Sequence, residues 1–128
     1  MEPTASMALR AARKAGDLIV RASDDMDRVG YQAKAAADFV TEVDIAAEKE
    51  ILYQLGKAYP EHRFLCEESG LSGNEDSDYT WVIDPLDGTS NFLRGIPHYA
   101  ISIACLHRGK IEHAVVYDPV RREEFIAS

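Results

Sequence analysis

The most informative segment of this sequence is Trp81-Val82-Ile83-Asp84-Pro85-Leu86-Asp87-Gly88-Thr89-Ser90-Asn91-Phe92. Its first residues are strongly β-prone and predict a buried strand that delivers Asp84 to its end, where Pro85 sets the backbone direction. Asp87 comes three residues later, so both carboxylates can face one point beside the Leu86 carbonyl. Carboxylate and carbonyl oxygens are hard ligands, which favour a magnesium ion.

The residues after Asp87 favour an anion. Gly88 removes a side chain where a group must come close to the backbone. Thr89 and Ser90 are suited to open a short helix, whose free N–H groups attract negative charge. One interpretation is therefore a magnesium and phosphate site. The other is a plain turn, because Asp-Pro and Asp-Gly are common turn dipeptides. The spacing differs from that of an EF-hand loop, and the sequence contains no P-loop glycine–lysine signature.

Two amphipathic helices are predicted upstream of this stretch. Residues 5–28 carry apolar side chains at helical spacing, and Gly30 marks the end of that helix. Thr41 and Asp44 have the form of a capping box, which predicts that a second helix starts at Thr41. The apolar face of this helix and its stop signals lie further along the chain: Val43, Ala47, Ile51 and Leu55, then Gly56 and Pro60.

Most of the remaining sequence predicts strands. The polar, Gly-containing residues 71–78 read as a loop, and Arg108-Gly109-Lys110 as a turn between two strands. Two helices followed by hairpin-connected strands predict an α+β fold, a two-layer α/β sandwich with both helices packed on a mostly antiparallel sheet. The predicted strands are Arg63–Cys66 and residues 79–83, 99–107, 111–117 and 121–127.

Composition narrows the class of protein. The 128 residues suffice for one domain with a core, and no apolar stretch approaches the roughly 20 residues of a membrane span. A net charge of −8 argues against a surface that binds nucleic-acid phosphates. Cys66 and Cys105 are predicted to be free thiols, and the four histidines lack zinc-ligand spacing. We expect a cytoplasmic protein that has no membrane segment and binds no nucleic acid directly.

Three segments together resemble the inositol monophosphatase family. Residues 84–92 resemble its signature Asp-Pro-x-Asp-Gly-Thr-x-Asn-Phe after an apolar strand. Residues 38–44 (DFVTEVD) resemble the motif before the second helix of that family, and Glu67-Glu68-Ser69 resembles its Gly-Glu-Glu-Ser element, with Cys66 in place of the glycine. The resemblance covers essentially the whole chain, and its closing residues 118–125 are most like bacterial members. It implies the N-terminal domain of the inositol monophosphatase and fructose-1,6-bisphosphatase fold.

The resemblance implies a set of metal ligands. Glu67, Asp84 and the Leu86 carbonyl would hold a first magnesium ion, and Asp84 and Asp87 would share a second. The cofactor is then Mg²⁺, with two or three ions. Taken without the resemblance, Glu67 and Glu68 would more readily be interpreted as a solvated pair of surface acids.

The resemblance also implies roles in catalysis and substrate binding. Asp44 and Thr89 would hold or activate the attacking water, with Glu67 also in the catalytic set. Asp87 and the backbone N–H groups of Gly88 and Thr89 would bind the phosphate group of the substrate. Two simpler interpretations stay open, one for Asp44 and one for Lys34. Asp44 could merely complete the capping box. Lys34, at a plausible position for a basic contact near the phosphate, could be an ordinary surface lysine.

The function implied is Mg²⁺-dependent hydrolysis of a phosphate monoester, inositol 1-phosphate first, by a metal-activated water. Lithium sensitivity and a homodimer of the full-length form are implied in the same way. Two alternatives stay open: a fructose-1,6-bisphosphatase-type sugar phosphatase, and a non-catalytic binding module, because some bacterial relatives act in transcription complexes. Family members are roughly twice this length. We therefore expect residues 1–128 to be the metal- and phosphate-binding N-terminal domain, inactive without the C-terminal half.

Overall fold

Two long helices precede a six-stranded sheet. The computed structural model describes residues 2–29 and 33–128, with side chains described for residues 2–25 and 37–128. Gly30 and the side chain of Lys34 therefore lie outside the described residues. The elements in chain order are α1 Pro3–Val29, α2 Ala33–Ala58, β1 Arg63–Cys66, β2 Gly70–Gly73, β3 Tyr79–Asp87, α3 Thr89–Leu93, β4 Ala100–His107, β5 Lys110–Asp118 and β6 Glu123–Ala127.

The sheet is mixed and mostly antiparallel, as predicted. Its strand order is β2-β1-β3-β4-β5-β6. Strand β1 pairs with β3 in parallel, whereas the four other pairings are antiparallel. The parallel pair matters for function, because the carboxyl ends of two parallel neighbours meet at the same edge of a sheet.

The core lies between the two helices and one face of the sheet. The predicted apolar faces are the buried ones: Ala8, Ala12, Ala15 and Ile19 of α1, and Val43, Ala47, Ile51 and Leu55 of α2. The sheet contributes alternate residues of β3, β4 and β5, as expected for strands with one face packed on helices. The main ones are Trp81, Ile83, Ile101, Ile103 and Val115. Trp81 is fully buried, as expected for a residue of the predicted buried strand.

The prediction that α2 begins at Thr41 was wrong. The helix begins at Ala33, and the Thr41 hydroxyl donates to the Ala37 carbonyl one turn back, at 3.1 Å. Residues 33–37 (AKAAA) explain the earlier start, because alanine is the strongest helix former and no residue there breaks the helix. A threonine inside a helix commonly turns its hydroxyl back to the carbonyl four residues before.

The prediction of one continuous loop over residues 71–78 was also wrong. Gly70–Gly73 forms strand β2, which pairs antiparallel with β1 in the register Cys66↔Gly70 to Arg63↔Gly73. Both end glycines have positive φ, 75° and 80°, so they turn the chain tightly into and out of the strand. The strand is short and solvent-facing, and so it lacks the apolar alternation that sequence analysis relies on.

Two smaller findings complete the fold. Cys66 and Cys105 are free and buried, as predicted. Among the described residues, no helix combines the length and apolarity needed to cross a membrane.

Candidate functional site

The parallel pairing of β1 with β3 brings the first two candidate ligands together. The last residues paired between these strands are Cys66 and Ile83, and Glu67 and Asp84 directly follow them. Glu67 enters the turn after β1, whereas Asp84 continues β3 opposite Ser102 of β4. The Glu67 amide also donates to the Ile83 carbonyl, at 3.3 Å. The two carboxyl groups share a hydrogen bond, and this contact is the main reason why the pKa of Glu67 is raised to about 7. Burial and the charges of Asp84, Glu68 and Asp44 act in the same direction.

Helix α2 supplies two more carboxylates, Asp44 and Glu48, one turn apart and both buried, at 9% and 3% exposure. Burial is the largest cause that raises the pKa of Asp44, to about 7, and the charges of Glu68, Asp84 and Glu48 add to it. Oδ1 of Asp44 is buried and has no hydrogen-bond partner among the described residues. A buried carboxylate oxygen without a partner is costly, unless a cation or a water occupies the space beside it.

Glu48 fixes the turn that carries Glu67. Its Oε2 accepts a hydrogen bond from the Glu68 amide at 2.8 Å, and its Oε1 accepts one from the Ser69 amide at 3.0 Å. Residues 67–69 are the three-residue connection of the β1–β2 hairpin. Sequence analysis missed Glu48. The available signal was a charged residue at helical spacing within the apolar stripe of α2, where a charge is seldom buried unless it is paired.

The segment from Asp84 to Thr89 is held by its own hydrogen bonds. Oδ1 of Asp84 accepts from the Leu86 amide at 3.2 Å, and the Thr89 hydroxyl donates to the Leu86 carbonyl at 3.0 Å. The carbonyl oxygen keeps one lone pair for a further partner. Because the Thr89 hydroxyl uses its proton in this bond, its oxygen is left to accept a hydrogen bond from a water molecule.

Helix α3 starts where the sequence predicted. Gly88 stands at its N-cap with φ 96° and ψ 33°, and the Phe92 amide donates to the Gly88 carbonyl at 3.0 Å. The left-handed conformation favours glycine. Space excludes other residues as well, because a Cβ atom on Gly88 would lie 2.9 Å from the His98 carbonyl oxygen.

Asp87, the remaining predicted side-chain ligand, is not among the residues whose charges raise the pKa values of Asp44 and Glu67. It follows a register shift in the β3–β4 pairing, between Asp84 and Asp87, and its side chain is exposed. It lines an open cavity of about 380 Å³ together with Gly88, Asn91 and His98. The charges around Asp44 and Glu67 come instead from Glu48, Glu68 and Asp84.

The donors present fit an open magnesium site rather than a closed cage. Within the described part of the chain, no three Asp, Glu, His or Cys side chains are already arranged so that they could hold a metal ion. Magnesium, however, is usually held by only one or two carboxylates and keeps several waters. The touching pair Glu67 and Asp84, the unpartnered Oδ1 of Asp44 and the free lone pair of the Leu86 carbonyl match that donor set.

Two known bacterial proteins are similar to this chain in sequence. Nus factor SuhB of Pseudomonas aeruginosa is 55% identical over 130 residues, which cover 100% of this chain and 48% of that protein. Nus factor SuhB of Escherichia coli K12 is 50% identical over 128 residues, again 100% of this chain and 48% of that protein. The chain thus spans about half the length of the curated relatives it matches.

Solved structures give the same result. The extragenic suppressor protein SuhB from Bartonella henselae superposes with a TM-score of 0.87 at 40% identity, covering 99% of this chain and 48% of that one. The inositol monophosphatase from Anabaena superposes with a TM-score of 0.79 at 35% identity, covering 98% and 43%. The model of the inositol monophosphatase family matches residues 1–128, and the chain belongs to that family.

Proposed function

We propose that residues 1–128 form the metal- and phosphate-binding half of a Mg²⁺-dependent phosphomonoesterase whose first substrate is inositol 1-phosphate. One observation carries the proposal: Glu67 and Asp84 come from separate strands and touch at the same sheet edge, beside the unpartnered Oδ1 of Asp44. Like charges this close repel one another strongly. A divalent cation relieves that repulsion.

The proposed roles follow from the chemistry of the groups. Bound Mg²⁺ supplies positive charge to the phosphoryl oxygens and makes a nearby water more acidic. Glu67, Asp84 and the Leu86 carbonyl hold it, and Asp87 is assigned to a second ion and to the substrate. Phosphoryl transfer requires little beyond positioning and charge, so a site without a cysteine or histidine nucleophile is sufficient.

We assign the handling of water and phosphate to groups on α2 and at the start of α3. The Thr89 oxygen, which is free to accept, holds the attacking water, and Asp44 receives its proton. The pKa of Asp44, about 7, suits a proton acceptor at neutral pH. The backbone N–H groups of Gly88 and Thr89 bind the phosphate group.

The test is phosphate release from inositol 1-phosphate with and without Mg²⁺. It compares the 128-residue chain with a form extended beyond Ser128 to the length of its relatives, because we expect activity in the extended form alone. Glu67→Gln and Asp84→Asn in the extended form should each lower kcat/KM at least 100-fold, about 2.7 kcal/mol. The matched control is Glu75→Gln, which removes an exposed acid that lines a different cavity. A fully active Asp84→Asn enzyme would contradict the proposal.

Substrate class is tested in the same assay. Fructose 1,6-bisphosphate is offered in parallel, because the residues described here bind the phosphate and not the sugar or polyol. A higher kcat/KM for that substrate would make the protein a sugar phosphatase. Lithium inhibition and the oligomeric state of the extended form are measured alongside, with inhibition and a homodimer as the expected results.

A second candidate function is a non-catalytic role in a transcription complex. The observation in its favour is that two relatives 50% and 55% identical are named Nus factors. Cells that carry Asp84→Asn in place of the natural residue distinguish the two functions. Normal growth and transcription with an inactive site would favour the binding module.

A further inference from the structure

Glu48 is the most deeply buried charged residue of the candidate site, and both of its carboxylate oxygens are bound to one turn. Oε2 accepts from the Glu68 amide at 2.8 Å and Oε1 from the Ser69 amide at 3.0 Å. These two amides directly follow Glu67 in the chain. Only 3% of the surface of Glu48 is exposed, so solvent has little access to its carboxylate.

The start of the turn is held by a backbone hydrogen bond. The Glu67 amide donates to the Ile83 carbonyl at 3.3 Å, which anchors the start of the turn to β3. Residues 67–69 are otherwise exposed. Glu48 thus ties the far side of an exposed turn to a rigid helix, and hydrogen bonds from amides to a buried carboxylate are among the stronger ones.

We infer that Glu48 is a positioning residue that holds the Glu67 carboxylate against Asp84 in the geometry that binds a divalent cation. The inference rests on the proposed function, because it assigns a task to Glu48 within the same site. Groups that orient metal ligands typically change metal affinity 10- to 100-fold when they are removed. Glu48 takes this role through the turn and does not need to touch the metal.

The informative variant is Glu48→Gln, which keeps the size and shape of the side chain. Its amide oxygen can accept one of the two N–H groups, but its NH₂ group is a donor and opposes the other. The variant also removes one negative charge. Glu68→Gln is the matched control for charge, because it removes a neighbouring acid while the Glu68 backbone amide, which Glu48 binds, stays in place. Glu50→Gln controls for an acid on the same helix that contacts Gln54.

The experiment measures Mg²⁺ dissociation constants of the 128-residue chain and its variants by isothermal titration calorimetry, with circular dichroism to check the fold. We expect Glu48→Gln to weaken Mg²⁺ binding 10- to 100-fold, Glu68→Gln several-fold less, and Glu50→Gln not at all. At a Mg²⁺ concentration of about ten times the wild-type dissociation constant, the rise in Tm should be smallest in Glu48→Gln, larger in Glu68→Gln and unchanged from wild type in Glu50→Gln. A merely structural role would lower Tm equally with and without Mg²⁺.

Two outcomes overturn the inference separately from the proposed function. The first outcome is that Mg²⁺ binding by the wild type needs Glu67 and Asp84, but Glu48→Gln binds Mg²⁺ as well as the wild type or no worse than Glu68→Gln. The inference about Glu48 is then wrong, while the proposed function stands. If the wild-type chain binds no Mg²⁺, both fall.

A measurement on the wild type alone covers the case in which Glu48→Gln does not fold. Hydrogen exchange should show that the Glu68 and Ser69 amides are at least tenfold better protected than the Glu75 amide of the exposed segment that follows β2. Equal exchange rates would overturn the inference.

Discussion

The indole nitrogen of Trp81 donates a hydrogen bond to Nδ1 of His62, at 3.0 Å, in the interior of the protein. His62 is 8% exposed, and its ring stacks between those of Tyr59 and Tyr79 at centroid distances of 4.8 Å and 4.7 Å. An indole N–H can only donate, so Nδ1 carries no proton and the imidazole is neutral. Protonation of His62 would turn the acceptor into a second donor and break this bond.

This relationship predicts loss of stability in acid. Burial lowers the pKa of His62 below its usual value of 6.5, against the opposing charge of Glu61. The unfolded chain therefore takes up the proton at a higher pH than the folded one. The stability that His62 contributes is fully present above pH 6.5 and is lost as pH falls below it.

The measurement is urea denaturation at pH 8 and pH 5.5 for wild type and His62→Phe. Phenylalanine keeps the ring in the stack and cannot titrate, but it leaves the indole N–H unpaired. The substitution should lower the free energy of unfolding at pH 8 by about 1–3 kcal/mol. It should also reduce the difference in the free energy of unfolding between pH 8 and pH 5.5. His98→Asn, in an exposed loop, is the control and should behave like wild type. An unchanged pH dependence in His62→Phe would contradict the prediction.

Asp44→Asn should stabilise the protein in magnesium-free buffer at pH 8. The pKa of Asp44 is raised to about 7, mainly by burial, so the folded state holds the proton more tightly than the unfolded state. Its contribution to stability is greatest below its ordinary value of 3.8 and falls as pH rises towards 7. Asparagine carries no charge, and after discounting for solvent screening we expect a gain of about 1–2 kcal/mol, read as a higher Tm without Mg²⁺.

Asp44→Asn should also weaken magnesium binding. This result would show that the Asp44 carboxylate contributes to function, although its burial lowers the stability of the protein at pH 8. The gain in Tm should therefore narrow or reverse when Mg²⁺ is added. Glu75→Gln, which removes an exposed acid, should change neither the Tm in magnesium-free buffer nor the rise in Tm on adding Mg²⁺. A variant less stable than wild type at pH 8 would show that the charge of Asp44 is balanced within the folded protein.

Magnesium affinity should fall as pH drops from 8 to 6. Asp44 and Glu67, whose pKa values are raised to about 7, must lose their protons before a cation can bind. Each proton released changes the apparent dissociation constant by up to about tenfold per pH unit. Calorimetry in two buffers with different ionisation enthalpies counts these protons. A dissociation constant independent of pH, or no proton release, would mean that neither carboxyl group has to ionise when the cation binds.

Two glycines inside helices should respond oppositely to alanine. Both substitutions gain helix propensity, about 0.5–1 kcal/mol in an unhindered helix. At Gly56 the added Cβ meets no atom within 4 Å, so Gly56→Ala should be stabilising.

At Gly16 the added Cβ would lie 2.7 Å from the Tyr117 ring and 3.0 Å from Cβ of Pro119, so Gly16→Ala should destabilise by about 1–3 kcal/mol. The two free energies of unfolding, measured together, test how closely α1 packs on β5. A Gly16→Ala protein as stable as Gly56→Ala would mean that α1 lies further from the sheet.

Local patterns were sufficient for much of the fold. The apolar spacing in α1 and α2 predicts which faces are buried, because side chains three and four residues apart share one side of a helix. The run from Trp81 to Phe92 predicts a strand and then a helix start, which the structure shows, since its β-prone residues and Gly88 each restrict their own backbone. The predicted strand end at Asp84 was wrong, because β3 continues to Asp87 through its pairing with β4. These constraints act within a few residues, and any compact state of the chain has to satisfy them.

Contacts between distant segments were decided only by the tertiary structure. Thr41 resembles a helix cap locally, but the alanines before it carry the helix through. Strand β2 forms because β1 offers it hydrogen-bond partners, and the parallel β1–β3 register sets Glu67 beside Asp84 across 17 residues of sequence. The place of Glu48 in the site follows in turn, since its carboxylate reaches the amides of Glu68 and Ser69 only after α2 has packed on the sheet. Strand register and helix packing are set by burial summed over the whole domain, which no short window of sequence contains.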